Sequence, residues 1–381
     1  MKIGILTFHR SVNYGAFIQA YALRELVNQL RPNDEVEIID YDTRFSRKYY
    51  LKRYLDSRSF SDFAYTFKMR KTFSQSMHRQ TLSKKHLFSN DLLRFSRFVN
   101  GNYDIIIVGS DEVWNVRGIR KFPNAFWLPK VSDVVKVSYA VSSRNCIDDL
   151  SKKEISIAKG FLDSFSFVSV RDNVSLQFVG QLLDKKTTPL HLMCDPTMAY
   201  NFRFDLIEGK KLLETKFGVN PELPVLAVMD ECGLLSKYIA EKYSNKIQVV
   251  SLFKRVRGIH NNSSINPFEW VQIIGAVDGL ITSFFHGMCI AINSNTPFHI
   301  FEYRNVKDDS FSKSYDLLIR YGFSDCYSKM GDLKESETII DDFIKRVINK
   351  HLVVDYSIIK EKEKELFDTF AIFLKGIHCE K

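Results

Sequence analysis

The segment TSFFHGM, Thr282–Met288, places His286 and Gly287 at the start of a helix, directly after an apolar strand. A helix start presents unpaired N–H groups and partial positive charge, so it attracts anions. Imidazole is the side chain whose charge changes nearest neutral pH. His286 is therefore suited to acid–base work or to a phosphate contact. Three other turns carry similar potential. In GSDEVWN, Gly109–Asn115, five polar or aromatic residues follow a fully apolar strand. Asp111 there suits a general base on a hydroxyl, and Trp114 suits stacking on a sugar ring; capping of a helix by Ser110 or Asp111 is the plainer reading. In SVRD, Ser169–Asp172, Arg171 stands at a strand end, where a guanidinium suits bidentate recognition of a carboxylate or phosphate. In Asn13-Tyr14-Gly15 a single glycine and an asparagine occupy the strand-to-helix turn where a dinucleotide-binding protein has its glycine-rich fingerprint. Gly15 permits close backbone approach to a ligand, while Asn13 also suits a helix cap.

All four turns need strands and helices that bring them to one edge of a sheet. Lys2–Phe8, Val36–Tyr41, Tyr103–Gly109, Val134–Ser143 and Phe167–Asp172 read as strands. Helical spacing separates them, as in Ala16–Leu30 with Leu23, Leu26 and Leu30. From about Pro221 the alternation begins again, with PVLAVM, IQVVSLF, GLITSFF and PFHIFEY as strands. Unbroken apolar runs of this kind suit parallel strands buried on both faces. The chain is therefore expected to be α/β, with two Rossmann-like parallel-sheet domains facing across a cleft, over residues 1–197 and 198–350, and a last helix within 351–381 packing across both. Ligands of such sheets lie beyond the carboxyl ends of the strands.

Composition narrows the classes. Of 381 residues 45% are hydrophobic, enough for two ordinary cores, and no window approaches a membrane span. The first residues enter a strand directly, so no signal peptide is expected. The six cysteines, Cys146, Cys194, Cys232, Cys289, Cys326 and Cys379, form no CxxC, which points to a reducing, cytoplasmic compartment. P-loop, HExxH, EF-hand and GxSxG patterns are missing and no DxD sugar-nucleotide motif with a metal rationale is evident, so neither a metal nor a cofactor is expected. The net charge of +9 is concentrated: residues 44–97 hold fourteen Lys/Arg against Asp56, Asp62 and Asp91, leaving the remainder near −2. Aromatics such as Tyr49, Phe60, Phe67 and Phe73 are interleaved with these cations. The insertion suits an anionic partner such as a membrane face or a lipid diphosphate; a solvated helical insertion with a small satellite core is the other reading. Nucleic acid is disfavoured, since the cations avoid the strand-end motifs and no reader motif is present.

Taken in order, the stretches GILTFHRSVNYGAFIQAYAL, YDIIIVGSDEVWN, SYAVSS, FVSVRDNVSLQFV, CDPTMAY and PFEWVQIIGAVDGLITSFFHGMCIAINSNTPF resemble the polysaccharide pyruvyl transferase family. The resemblance implies a fold similar to GT-B glycosyltransferases. It also implies transfer from phosphoenolpyruvate to a sugar of a polysaccharide or its polyprenyl-diphosphate-linked precursor, giving a pyruvyl ketal and phosphate. On that reading His286 is the acid or a phosphate contact, with Ser283, Gly287, Arg171, Lys254, Arg255 and Arg257 near the donor. Asp111 serves the acceptor hydroxyls, with Asn13, Tyr14, Gly15, Ser110, Trp114 and Asn115 lining the acceptor side. Two positions depart from relatives: Glu112 stands where many have glutamine, and Phe284 where some have arginine. The donor carboxylate then needs other cations. If the acceptor is lipid-linked, residues 44–97 would rest on the inner face of the membrane or clamp the diphosphate. Two rival readings are a GT-B glycosyltransferase using a nucleotide sugar and a non-catalytic protein that binds anionic lipid.

Overall fold

A computed structural model describes residues 1–55, 59–183, 188–220, 222–230, 233–303, 312–330, 333–350, 352 and 354–378. Pro221, Cys232, Cys379 and, within the basic segment, Asp56 and Arg58 lie outside them. The chain forms two compact units. The first comprises Met1–Asp56, Met77–Tyr200 and Lys362–Lys381; the second comprises Ser57–Ser76 and Asn201–Glu361.

In the first unit, β1 (Lys2–Leu6), β2 (Glu35–Ile38), β3 (Ile105–Asp111), β4 (Val135–Val141), β5 (Val168–Val170) and β6 (Leu190–Leu192) form one parallel sheet in the order β2-β1-β3-β4-β5-β6. Side chains alternate across a strand. Ile105 and Ile107 thus enter one core and Ile106 and Val108 the other, which is why the strand reads as an unbroken apolar run. Helix α1 (Tyr14–Leu30) covers the first of these faces through Ala20, Leu23 and Val27. The opposite face holds Trp114, Phe126, Trp127 and Phe178. At Gly4 in β1 a Cβ would stand 2.8–2.9 Å from the side chains of Tyr103, Ile106 and Ile39, so a larger residue would force these side chains to shift. Beyond α1, Tyr41–Asp42 pairs with Leu87–Phe88, and helix α2 (Arg44–Leu55) lies between these segments in the chain.

The second unit contains helix α3 (Phe60–Ser76) and a sheet of β7 (Val225–Met229), β8 (Gln248–Ser251), β9 (His260–Asn261), β10 (Gly279–Thr282), β11 (Phe298–Glu302) and β12 (Tyr327–Lys329). All neighbours are parallel, and the order is β9-β8-β7-β10-β11-β12. Helix α4 (Pro267–Ile274) starts on an Asn266–Glu269 capping box with proline at its first position, and helix α5 (Phe285–Ser294) follows β10.

The expectation of one insertion over 44–97 in the first domain needs correction. Helix α3 belongs to the second unit. It buries Met69 and Phe73, and the Tyr65 and Thr72 hydroxyls donate to the carbonyls of Asn262 (3.5 Å) and Ser263 (3.4 Å). The last helix, α6 (Ser357–Lys375), is divided as well. Its opening residues count with the second unit, where the preceding Tyr356 ring lies 5.3 Å from Phe298. Phe370 and Leu374 belong to the first, with the Phe370 ring 4.6 Å from Tyr139.

Candidate functional site

Each sheet has one place where successive connections leave in opposite directions, between β1 and β3 in the first and between β7 and β10 in the second. Side chains beyond the strands' carboxyl ends are best exposed to a ligand at such points.

In the second unit, the Ser283 N–H donates to the Met229 carbonyl (3.0 Å), continuing the β7–β10 ladder by one residue. The Phe284 N–H then turns to the Thr282 hydroxyl (3.0 Å), and α5 starts at Phe285. His286 is the second residue of that helix and is half-buried, its ring edge-on to Phe285 at 5.5 Å. It is not sealed in the core. Gly287 packs against the strand end: a Cβ there would lie 2.9 Å from Thr282 Oγ1, so a larger residue would push α5 off β10. Phe284, the position where some relatives have arginine, packs on Phe253 at 4.4 Å. This contact brings the loop after β8 beside the loop after β10. Lys254 and Arg257 in that loop are exposed, whereas Arg255 is engaged with Asp62 of α3 at 3.3 Å.

Two residues here escape the sequence reading. Lys313 Nζ stands 5.6 Å from the Phe285 ring, beside the first turn of α5. Buried Asp230, just past β7, accepts from the Leu235 N–H (3.1 Å), the Ser236 hydroxyl (2.9 Å) and the Tyr303 hydroxyl (3.3 Å). Asp230 was legible by the strand-end rule that singled out Asp111. Lys313 carries no signal in the sequence, because only folding brings its helix to α5. Helix N–H groups, an imidazole and nearby ammonium groups can together hold a compact anion and deliver a proton to it.

In the first unit the loop after β3 takes an unusual path. Gly109 has φ +120°, and a Cβ there would run into the Tyr139 carbonyl, so glycine is required. Asp111 has φ +79°, a conformation that a non-glycine residue holds only under constraint. The Ser142 and Val113 N–H groups on its carbonyl (2.9 and 2.8 Å) and the Glu112 N–H on its carboxylate (2.8 Å) supply the constraint, and Arg171 adds a contact to the carboxylate. Arg171 Nη1 meets Asp195 Oδ2 at 2.5 Å and the Ser110 hydroxyl at 3.3 Å, and its Nη2 reaches Asp111 Oδ1 at 3.5 Å. Asp195 also accepts from the N–H (2.9 Å) and hydroxyl (2.6 Å) of Thr197. Burial disfavours the Arg171 charge, but Asp195, Asp111 and Asp172 outweigh it and raise the guanidinium pKa.

Several expected contacts are thereby corrected. Arg171, with its side chain 1% exposed, ties strand ends together and is no surface clamp for a donor. Ser110, 0% exposed, belongs to the same buried network. Trp114, also 0% exposed, stacks on Trp127 at 5.1 Å and donates its indole N–H to the Phe126 carbonyl, so it is a core residue and cannot stack on a sugar. Tyr14 and Gly15 are buried in the first turn of α1. Asn13 is half-buried and caps that helix through the Ala16 N–H (3.1 Å). Asp111 and Asn115 stay partly exposed, and Asn115 Oδ1 accepts from the Arg117 N–H (3.1 Å). Glu112 lies 3.4 Å from Arg144, at the end of the neighbouring strand.

A crevice the sequence reading missed opens at the end of β1, lined by Thr7, Arg10, Ser11, Asp42, Thr43 and Arg120. Arg120 lies over the Phe8 ring at 3.9 Å. Asp40 underpins this wall, bound by Arg10 through both carboxylate oxygens (2.5 and 2.6 Å), by His9 Nε2 (3.1 Å) and by His86 Nδ1 (3.1 Å). Burial pushes the Asp40 pKa up, but His9 and Arg10 more than offset this and hold it well below the usual carboxylate range. A depressed native pKa contributes stability that is complete above the unfolded value of about 3.9 and is lost as pH falls through the native one. Asp40→Asn should therefore flatten the fall in stability below about pH 4, in urea melts taken across pH.

Among the described residues, no group of three or more His, Cys, Asp or Glu side chains is placed to hold a metal ion, and no helix is long and apolar enough to cross a membrane.

Comparison with known proteins agrees with this architecture. Among solved structures the chain is similar to UDP-GlcNAc 2-epimerase from Methanocaldococcus jannaschii, at 11% identity over 99% of this chain and 100% of that one, with a TM-score of 0.53. It is also similar to ADP-heptose lps heptosyltransferase II from E. coli, at 11% identity over 92% and 99% of the two chains, with a TM-score of 0.48. The epimerase likeness shows the fold, two parallel-sheet α/β domains of the GT-B type. None of the curated proteins matches. The family model for polysaccharide pyruvyl transferase matches residues 13–305, which include α1, the β3 loop, Arg171 and the His286 turn. The chain belongs to the polysaccharide pyruvyl transferase family.

Proposed function

We propose that this transferase moves the pyruvyl group of phosphoenolpyruvate onto two hydroxyls of a glycan sugar, forming a ketal and releasing phosphate. The glycan is a polysaccharide or its lipid-linked precursor. The observation that carries the reading is a half-buried imidazole, His286, in the first turn of α5 at the switch point of the second sheet of a chain in this family. The N–H groups of that turn suit the donor's phosphate. Lys313, Lys254 and Arg257 are the cations for its carboxylate, a task that Phe284 cannot perform and that Arg171 is too buried to take.

The chemistry follows from the enol. His286 gives its proton to the methylene carbon, and the adjacent carbon becomes oxocarbenium-like. A sugar hydroxyl oxygen bonds to that carbon and sheds its proton. The carbon–oxygen bond to phosphate then breaks, and its electron pair leaves with the phosphate. A second hydroxyl adds to the same carbon and closes the ring. Of the two protons released, one restores His286 and the other departs with phosphate, so nothing is oxidised or reduced. For the acceptor hydroxyl the residues are those of the first unit: Asp111, paired with Arg171, orients or deprotonates it, with Asn13 and Asn115 as further contacts. Positioning and electrostatic stabilisation supply the rate.

The test is incubation with phosphoenolpyruvate and a panel of glycans. The expected result is a glycan mass gain of one pyruvyl ketal, with an equal amount of free phosphate. Release of nucleotide from a sugar nucleotide, with phosphoenolpyruvate left intact, would replace this reading with glycosyl transfer.

A further inference from the structure

Helix α2 is poorly explained by the packing of the first unit. Most helices in proteins are held by an apolar face turned inward. In α2 every side chain described is exposed apart from Ser46. Among its described apolar side chains, Phe45 and Leu51 are 48% and 49% exposed and face outward. The segment from Thr43 to Leu55 contains no acid, while Arg44, Arg47, Lys48, Lys52 and Arg53 supply five cations. Arg47 is folded back over the Phe88 ring at 4.8 Å. At 100° per residue, Ser46 marks the inward side. Arg44, Phe45, Lys48, Leu51 and Lys52 then fall on the outward half, cations alternating with apolar groups.

We infer that α2 docks the enzyme on a bilayer surface rich in anionic lipid, with Phe45 and Leu51 entering the headgroup boundary and Arg44, Lys48 and Lys52 held by lipid phosphates. Charge complementarity selects this occupant. A protein partner or a second copy of this chain would have to supply a matching acidic apolar groove. A nucleic acid would use the cations and leave the aliphatic groups in water. A surface helix whose apolar side chains point away from its own core suits a medium that is charged at the rim and apolar below. Each cation near such a surface strengthens partition by about fivefold. The inference goes beyond the transfer reaction and is independent of the donor used.

The test is co-sedimentation of the full chain with vesicles of phosphatidylcholine alone, or mixed equally with phosphatidylglycerol. The wild type should bind only the mixed vesicles, less tightly as salt rises. Lys48→Glu/Lys52→Glu should weaken binding by at least about 25-fold. Phe45→Ala/Leu51→Ala should remove the binding that persists in high salt. All of these side chains are exposed, so melting curves of the variants should match the wild type, and transfer to a water-soluble glycan should be unchanged. Equal binding by wild type and the charge-reversal variant would overturn the inference. So would binding of an oligonucleotide by the wild type, lost in the same variant, with no vesicle binding. Vesicle binding reads the same whether or not phosphoenolpyruvate is a substrate, so this result and the donor assignment fail separately.

Discussion

His286→Gln is expected to slow pyruvyl transfer by about 10²–10⁴-fold while leaving the thermal midpoint close to that of the wild type. The loss corresponds to about 3–5 kcal/mol of transition-state stabilisation. Stability should change little, because the imidazole is half-buried at a helix start and is not part of either apolar core. Glutamine keeps a hydrogen-bond donor at about the same reach but has no titrating proton to give. The split between kinetic constants therefore assigns the role. A fall in kcat with an unchanged KM for phosphoenolpyruvate identifies the proton donor. A rise in KM alone makes His286 a phosphate contact. A variant that transfers at the wild-type rate removes His286 from the chemistry.

The framework of this site is legible in the sequence for a simple reason. Strands such as Ile105–Val108 are apolar on both faces because helices cover both, and the chain switches to helical spacing directly after each strand end. The turn holding His286 follows from those two periods alone. What periodicity does not carry is the direction of a side chain once the strand has ended. Trp114, five residues past the apolar run Ile105–Gly109, reads as well for a sugar platform as for a core residue; its place against Trp127 depends on a loop closing from elsewhere in the chain. Tyr14 is similar: its neighbour Asn13 marks the helix start, but helix phase turns the ring inward. The assignment of α3 to the second unit is set by Met69, Phe73 and hydroxyls that reach Asn262 and Ser263, nearly two hundred residues away in the sequence. Local charge and aromatic content cannot reveal this. The Asp40 cluster escaped for the same reason, since His9 and Arg10 reach it from one segment and His86 from another, far apart in the sequence.

Arg171→Met is expected to destabilise the first unit by about 3–5 kcal/mol, the usual cost of removing one partner from a buried ion pair. The substitution approximates the volume but leaves Asp195, 1% exposed, facing the site with no guanidinium. Arg171→Lys should fail nearly as badly. A single ammonium cannot reproduce a planar fork in which Nη1 serves Asp195 and Ser110 while Nη2 reaches Asp111. Neutralising the stranded carboxylate as well, in Arg171→Met/Asp195→Asn, should recover part of the loss, because the amide oxygen can still accept from Thr197 and no charge is left buried at Asp195. Urea melts of the two single variants and the double variant measure this coupling. The same series separates a positioning residue from a donor clamp. If Arg171 works through Asp111, the double variant should regain part of the stability yet remain slow, chiefly in kcat, since the Asp111 carboxylate has lost its guanidinium partner. A raised KM for phosphoenolpyruvate in variants as stable as the wild type would return Arg171 to the donor, and would require that the buried fork be exposed during turnover.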